Sequence, residues 1–336
     1  LYEHSNRQSL PDGYALRMRL EMAVELRWVA SSAASCFHVA AALARGVSPA
    51  QPEAFAAFQE PVAALSGAIE SLEVPAWKFF DRLVPLAASY DDNRLLAEAV
   101  LSKVGRTSAA TAVAGEFAGL FSDLKRVQAK SQPKLLDELE LRAGPLREQW
   151  EGRGPGMLAG IRRLTDPNIL VERADVLVVY PMAGGGGTAH LAHNVVSIEA
   201  VLANPSRQLP EIVRLAWLIG QLNLDLPRHS ESLQNSRRVA ALAMIPPALA
   251  AAQDVELVQD DPATLALALQ IWQPAGGDES SVAECLGLWW KTWLQTRENW
   301  PAALAALEQM LADAQTGDDT VVEPSNEATR APGAGP

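Results

Sequence analysis

Residues 175–194, DVLVVYPMAGGGGTAHLAHN, gather side chains and backbone that could do chemistry together. An apolar run ends in Gly184, Gly185, Gly186 and Gly187; Thr188, His190 and His193 follow, with Asn194 and Glu199 just beyond. Two chemistries fit these types. Glycines let backbone N–H groups close on an anion, and a following helix N-terminus would add positive potential, so Gly184–Thr188 could cradle a phosphate. His190 and His193 could instead offer two imidazoles to zinc, with Glu199, or the more distant His229 and Glu231, completing the set.

Neither pattern is complete. The glycine run has no Walker lysine and does not follow GxGxxG spacing. A dinucleotide fold needs several parallel strands, and the pattern shows one or two. HExxH is absent and neither cysteine is nearby, so no metal and no cofactor are expected, and solvated loop histidines are the plain alternative. Nucleophilic catalysis has no GxSxG elbow to rest on. Cys36 and Cys285 carry no local signature, and His38, two residues from Cys36, falls on a different helix face.

The elements around the loop must position it. ADVLVVYP (174–181) is apolar at both parities and reads as a strand covered on both faces. NVVSIEAVL (194–202) fits either an alternating strand or a helix face, and the strand is favoured. The two strands are expected to pair antiparallel as a hairpin, Ala174–Tyr180 with Val195–Val201, joined by the glycine loop. LPEIVRLAWLIGQLNLDLP (209–227) is apolar almost all round and reads as a central buried helix. Arg214 is the one charge from Ile212 to Ile219, and a buried guanidinium needs a carboxylate or several carbonyls; Glu199 on the preceding strand is the candidate partner, the alternative being a packed stem whose head reaches water.

Strand, glycine-containing crossing, second strand and buried helix together resemble the catalytic region of gluzincin-type metallopeptidases. In that family an antiparallel edge strand precedes the helix carrying HExxH. Here IVRLAWLIGQL (212–222) has no His and no Glu, so the resemblance carries no zinc ligand over and implies a non-catalytic relative.

The remaining sequence is helical. Leu16, Leu20, Val24 and Trp28 recur at near four-residue spacing, predicting one amphipathic helix from Tyr14 to a stop at Gly46 and Pro49. Further helices are expected over 48–72 with a kink at Pro61, from Pro75, from the capping run Asp91–Asn93 to Gly105, and over Thr107–Lys130 and Pro133–Trp150. EGRGPGMLAG (151–160) holds four glycines and a proline and reads as a break. Helices resume through 236–253, 261–273 and 281–315, with a break near Pro301. Trp289, Trp293 and Trp300 share one helix face, which suits core packing or an aromatic platform.

Composition narrows the partners. The chain has 336 residues, 49% of them hydrophobic, and can bury a sizeable core. Only six of the 28 basic residues are Lys, which with abundant Ala, Gly and Pro suggests coding from a GC-rich, bacterial genome. The net charge is −12; residues 251–336 hold 14 acidic and three basic residues, a net of −11, so the first 250 are nearly neutral. An acidic surface without a basic stripe repels phosphate backbones, so nucleic acid is not an expected partner. No apolar run reaches the ~18 residues of a membrane span. Two separated cysteines fit free thiols in a reducing compartment, and no charged-then-apolar leader is seen, so the expected location is cytoplasmic.

The expectation is a mainly α protein (α+β minor), a helical array with a small antiparallel β-hairpin in its C-terminal half. Residues 1–150 form a helical domain, 151–315 an α+β domain with the glycine-rich loop, and 316–336 a disordered acidic tail. The expected function is a non-catalytic cytoplasmic binding or scaffold protein whose helical surfaces meet a protein partner. The alternative is a hydrolase or metal-dependent enzyme centred on the glycine loop and following histidines. The candidate ligand-binding residues are Gly184, Gly185, Gly186, Gly187, Thr188, His190, His193, Glu199 and Arg214. An enzyme requires these groups to converge around a perturbed acid or base; a scaffold leaves the histidines apart and solvated.

Overall fold

Residues 25–30, ELRWVA, turn Leu26 and Trp28 inward and Glu25 and Arg27 outward, and form a strand, β1 (Glu25–Ala30), in the computed structural model of the protein. The structure describes residues 24–224, 233–272, 279–297 and 299–318. His229, Glu231, the start of the helix expected from Tyr14, and all of the expected tail beyond residue 318 lie outside them. That helix is corrected at β1. The period of two in ELRWVA prevails over the four-residue spacing because β1 pairs in parallel with a buried strand, from Glu25 opposite Arg173 to Ala30 opposite Val178.

Helix α1 (Ser32–Ala44) begins at Ser31, whose Oγ accepts the Ala34 amide at 3.1 Å, and stops at Gly46. A 3-10 helix (Pro52–Phe58) runs into α2 (Gln59–Ser71). Pro61 lies in the first turn of α2, where a missing N–H is no loss, and the break expected there falls at the junction of the two helices just before it. Next come α3 (Ala76–Ala87), α4 (Asn93–Lys103), capped by Asp92, and α5 (Thr107–Ser131).

Helix α6 (Leu135–Leu164) runs straight through the stretch read as a break. Its glycines make room rather than punctuate. A Cβ on Gly154 would lie 2.4 Å from the Trp150 ring, and one on Gly160 would lie 2.8 Å from Ala251 Cβ on a packed neighbouring helix. The expected boundary at residue 150 therefore falls inside a helix.

Three further strands follow: β2 (Arg173–Val179), β3 (Gly187–His190) and β4 (Val195–Glu199). The sheet order is β1-β2-β4-β3. β2 pairs in parallel with both β1 and β4, and only β3 is antiparallel, against β4. The expected two-stranded hairpin is thus corrected. The strands at 174 and 195 exist, but β3 carries the chain back outside β4, so β4 runs with β2. Parallel neighbours need such a long crossover, and residues 180–194 supply it.

Helices cover both faces of the sheet. Leu177, Val179 and Val195 pack with α1–α5. Val176, Val196 and Ile198 pack with α6 and the C-terminal helices: α7 (Glu211–Gly220), α8 (Leu233–Ala243), α9 (Ile245–Asp254), α10 (Ala263–Trp272), α11 (Glu279–Thr296) and α12 (Trp300–Asp318). That double cover is why β2 reads apolar at both parities. Every residue of α7 is buried. Trp289, Trp293 and Trp300 pack on one another, with ring centroids 5.7 and 4.9 Å apart, as core. Cys36 is buried and Cys285 half-buried, both as thiols. No helix among the described residues is long and apolar enough to cross a membrane.

Candidate functional site

Strand alternation puts Val195, Ser197 and Glu199 on the face of β4 that meets α1 and α3, with Thr188 and His190 of β3 opposite Ser197 and Val195 on that face. The polar side chains form two clusters there.

The first cluster is the glycine loop and Glu199. The chain leaves β2 with the Tyr180 amide donating to Ser35 Oγ on α1 at 3.1 Å. Gly184 (φ +81°) and Gly185 (φ +140°) then turn it through conformations that residues with a Cβ rarely adopt. The amides of Gly185 and Ala183 donate to the two carboxylate oxygens of Glu199 at 2.8 and 3.0 Å, and the Glu199 amide donates to Gly186 O at 2.8 Å. His38 Nε2 lies 3.1 Å from Glu199 Oε1. The anion that the glycine loop cradles is thus the protein's own carboxylate. Burial pushes the Glu199 carboxyl up, but the bond and charge of His38 and the two amides outweigh it and hold the group below the usual carboxylate range.

The second cluster is a relay. Asp81 on α3 approaches His190 Nδ1 through Oδ1 at 3.1 Å and through its carbonyl oxygen at 3.2 Å; His190 Nε2 lies 3.1 Å from Ser197 Oγ. Asp81 is 6%, His190 2% and Ser197 1% exposed. Arg237 on α8 pairs with Asp81 Oδ2 at 2.8 Å and donates to Ala189 O at 3.3 Å, while its guanidinium lies over Trp77 at 5.2 Å. Burial pushes the Asp81 carboxyl up, but His190 and then Arg237 outweigh it, so the group sits at about 2 and stays ionised at neutral pH. Both partners of Nδ1 are acceptors only. In the neutral ring Nδ1 therefore carries the proton, and Nε2 is left to accept from the Ser197 hydroxyl.

The other predicted residues divide. Thr188 is the half-buried cross-strand partner of Ser197. His193 stays half-buried outside the relay; burial, then the charge of Arg82, depresses it to about 4, so it is neutral at pH 7. His190 and His193 do not form a metal pair, because both nitrogens of His190 are engaged by Asp81 and Ser197. Among the described residues no three His, Cys, Asp or Glu side chains group as a metal site. His190 is sealed in the protein, which corrects the solvated reading. Arg214 is buried and does have a carboxylate, but the partner is corrected to Glu211, one helical turn earlier on α7. Arg214 Nε lies 2.9 Å from Glu211 Oε2 and Nη2 donates to Oε1 at 3.1 Å. Glu199 is already held by His38 and the loop. Burial outweighs Arg214 and raises the Glu211 carboxyl, to which the charge of Glu199 adds.

His38, Asp81, Ser197 and Arg237 were not predicted. His38 stands alone in the apolar run FHVAA, a signal that could have marked it; Asp81 in KFFDRLV and Ser197 in NVVSIEA share their runs with other polar residues and carry no such signal. Comparison of the chain with family models, with curated proteins and with solved structures finds no match.

Proposed function

We propose that this protein is a hydrolase of the acyl-transfer type, with Ser197 as nucleophile and His190 as its base. The observation that carries the reading is the Asp81–His190–Ser197 relay, drawn from α3, β3 and β4 with both contacts to His190 at 3.1 Å. His190 Nε2 would take the Ser197 proton as Oγ attacks a carbonyl carbon, then return it to the leaving group; water would repeat the cycle on the acyl-enzyme. Asp81 positions the ring and stabilises the imidazolium, and Arg237 positions Asp81. The groups converge and Asp81 is strongly perturbed, which an enzyme requires and a solvated surface does not provide. Thr188, Trp77, His193 and Arg237 around the relay are only half-buried, and Thr188 stands beside Ser197 on the four-residue edge strand.

One observation favours a second reading. Ser197 is 1% exposed, so the relay also works as a structural tie between α3, β3 and β4 in a binding or scaffold protein with a protein partner. The antiparallel edge strand ahead of the buried α7 supports that reading through the gluzincin-like layout, since α7 has no histidine and its Glu211 is engaged by Arg214.

A fluorophosphonate probe separates the two. A hydrolase is labelled at Ser197 in the native state, by mass mapping, and hydrolyses 4-nitrophenyl acetate. Asp81→Asn then lowers the rate by on the order of 10³-fold or more, because His190 loses its orienting charge. Absence of labelling at Ser197 in the folded protein rejects the hydrolase and leaves the scaffold.

A further inference from the structure

Ligands of open parallel sheets bind in the crevice outside the carboxyl ends of the strands. A cleft of about 210 Å³ lies there: Tyr180 directly follows β2, and Val201 and Leu202 follow β4. Met182 and Gly184 of the glycine loop, Phe55 of the 3-10 helix and Arg142 of α6 complete its lining.

The lining has two characters. Phe55 is buried and holds Tyr180 edge to face, with ring centroids 5.8 Å apart and planes at 66°, so the half-buried Tyr180 ring is the one left to meet a further flat ring. Leu202 adds an apolar wall that is 58% exposed, high for a large aliphatic side chain. Opposite polarity comes from Arg142. Glu138 takes its Nε at 2.8 Å and fixes the guanidinium plane, while the terminal Nη groups make no hydrogen bond to the described residues. A planar fork with its outer donors open matches a carboxylate. The floor is firm, because the Gly184 turn is flanked by the amides of Ala183 and Gly185, both fastened to Glu199.

We propose that this cleft binds a small aromatic carboxylate, its ring against Tyr180 and Leu202 and its carboxylate on Arg142. The cleft is smaller than drug-sized pockets, which limits it to a compact ring system with a short acidic group. The site is separate from Ser197, and the proposal does not depend on Ser197 being reactive.

The full chain is titrated with 2-naphthoate and, separately, with its neutral counterpart 2-naphthamide, followed by naphthalene fluorescence. 2-Naphthoate is expected to bind at least about tenfold more tightly than the amide, as a charge-assisted pair implies. Arg142→Gln weakens 2-naphthoate about tenfold and leaves the amide unchanged, and Leu202→Asp weakens both. Equal affinity for the two probes, an Arg142→Gln Kd within about twofold of the parent, or no binding of either probe overturns the proposal.

Discussion

Glu199 and Gly185 are bonded to one another: the carboxylate Oε2 accepts the glycine amide at 2.8 Å, and Oε1 does the same for Ala183 at 3.0 Å. A loop with the composition of an anion cradle is closed around a side chain of its own sheet. The carboxylate is also the contact of His38, so one buried group joins β4, the loop and α1.

Replacing that carboxylate should loosen all three. Glu199→Ala leaves two part-buried amides and the buried His38 imidazole without their acceptor, and is expected to cost about 3–5 kcal/mol. Glu199→Gln keeps an acceptor and should cost less. Urea denaturation of both variants measures the difference; a loss under about 1 kcal/mol for Glu199→Ala means the loop holds itself.

Arg214→Met leaves the buried Glu211 carboxylate without its cation and should cost about 3–5 kcal/mol. Adding Glu211→Gln to Arg214→Met should recover much of that loss. Adding Glu199→Gln instead should recover less, because it eases the charge beside Glu211 but weakens the hold of Glu199 on the glycine loop and His38. The double-mutant cycle, read by denaturant midpoints, fails if Glu199→Gln is the change that rescues.

Acid should act in two windows. Asp81 sits at about 2 in the fold, below its ordinary 3.8, so between those values the unfolded chain binds more protons. Its contribution, about 2 kcal/mol, is complete above the unfolded value and is lost as pH falls towards about 2. His193 is depressed from 6.5 to about 4, so the unfolded chain again binds more protons in that interval and stability declines as pH falls through it. Melting temperatures taken from pH 7 to about pH 2 should show the upper limb flatten in His193→Gln and the lower limb flatten in Asp81→Asn. A profile unchanged in either variant assigns that limb elsewhere.

Two glycine substitutions should have opposite signs. A Cβ on Gly187 would lie 2.6 Å from Leu218 Cδ1 and 2.7 Å from the Ser197 carbonyl, so Gly187→Ala should cost about 1–3 kcal/mol by overpacking. Gly67 in α2 has nothing within 4 Å, so Gly67→Ala should stabilise by about 0.5–1 kcal/mol through helix propensity. Thermal melts of the pair check both. A neutral Gly187→Ala would show that β3 can shift away from α7.

The ring of His190 should be protonated at Nδ1. Nitrogen-15 spectra of the labelled protein at pH 8 are expected to show that tautomer, with Ser197→Ala leaving the proton in place. A proton on Nε2 instead would remove the base from the relay, whatever the labelling of Ser197 shows.

Elements with a strong local cause were legible. Asp92 caps α4 as the run Asp91–Asn93 indicates, the stop at Gly46 has φ +75°, and the uniformly apolar 212–219 is a fully buried helix. The need of Arg214 for a carboxylate was also legible, since it follows from burial alone. Which carboxylate was not: Glu211 and Glu199 carry the same charge, and only the turn of α7 and the prior engagement of Glu199 separate them. Gly154 and Gly160 read as breakers because their composition is that of a loop. They are helical because Trp150 and Ala251 need the space that a Cβ would fill.

The amino-acid sequence by itself determined the helical character, the covered strand near 174, the glycine loop as the unusual feature and the apolar surroundings of Arg214. These follow from periodicity, capping and polarity, which act over a few residues. Tertiary structure alone decided that β1 is a strand, that β2 and β4 run in parallel, and that Glu199 fills the loop. It also decided that Asp81, His190 and Ser197 meet. Asp81 and His190 are 109 residues apart and His38 and Glu199 161 apart. Strand direction depends on where the crossover from β2 passes, and a relay depends on three elements packing on one sheet face. Neither is encoded within any window short enough for a local pattern to show it.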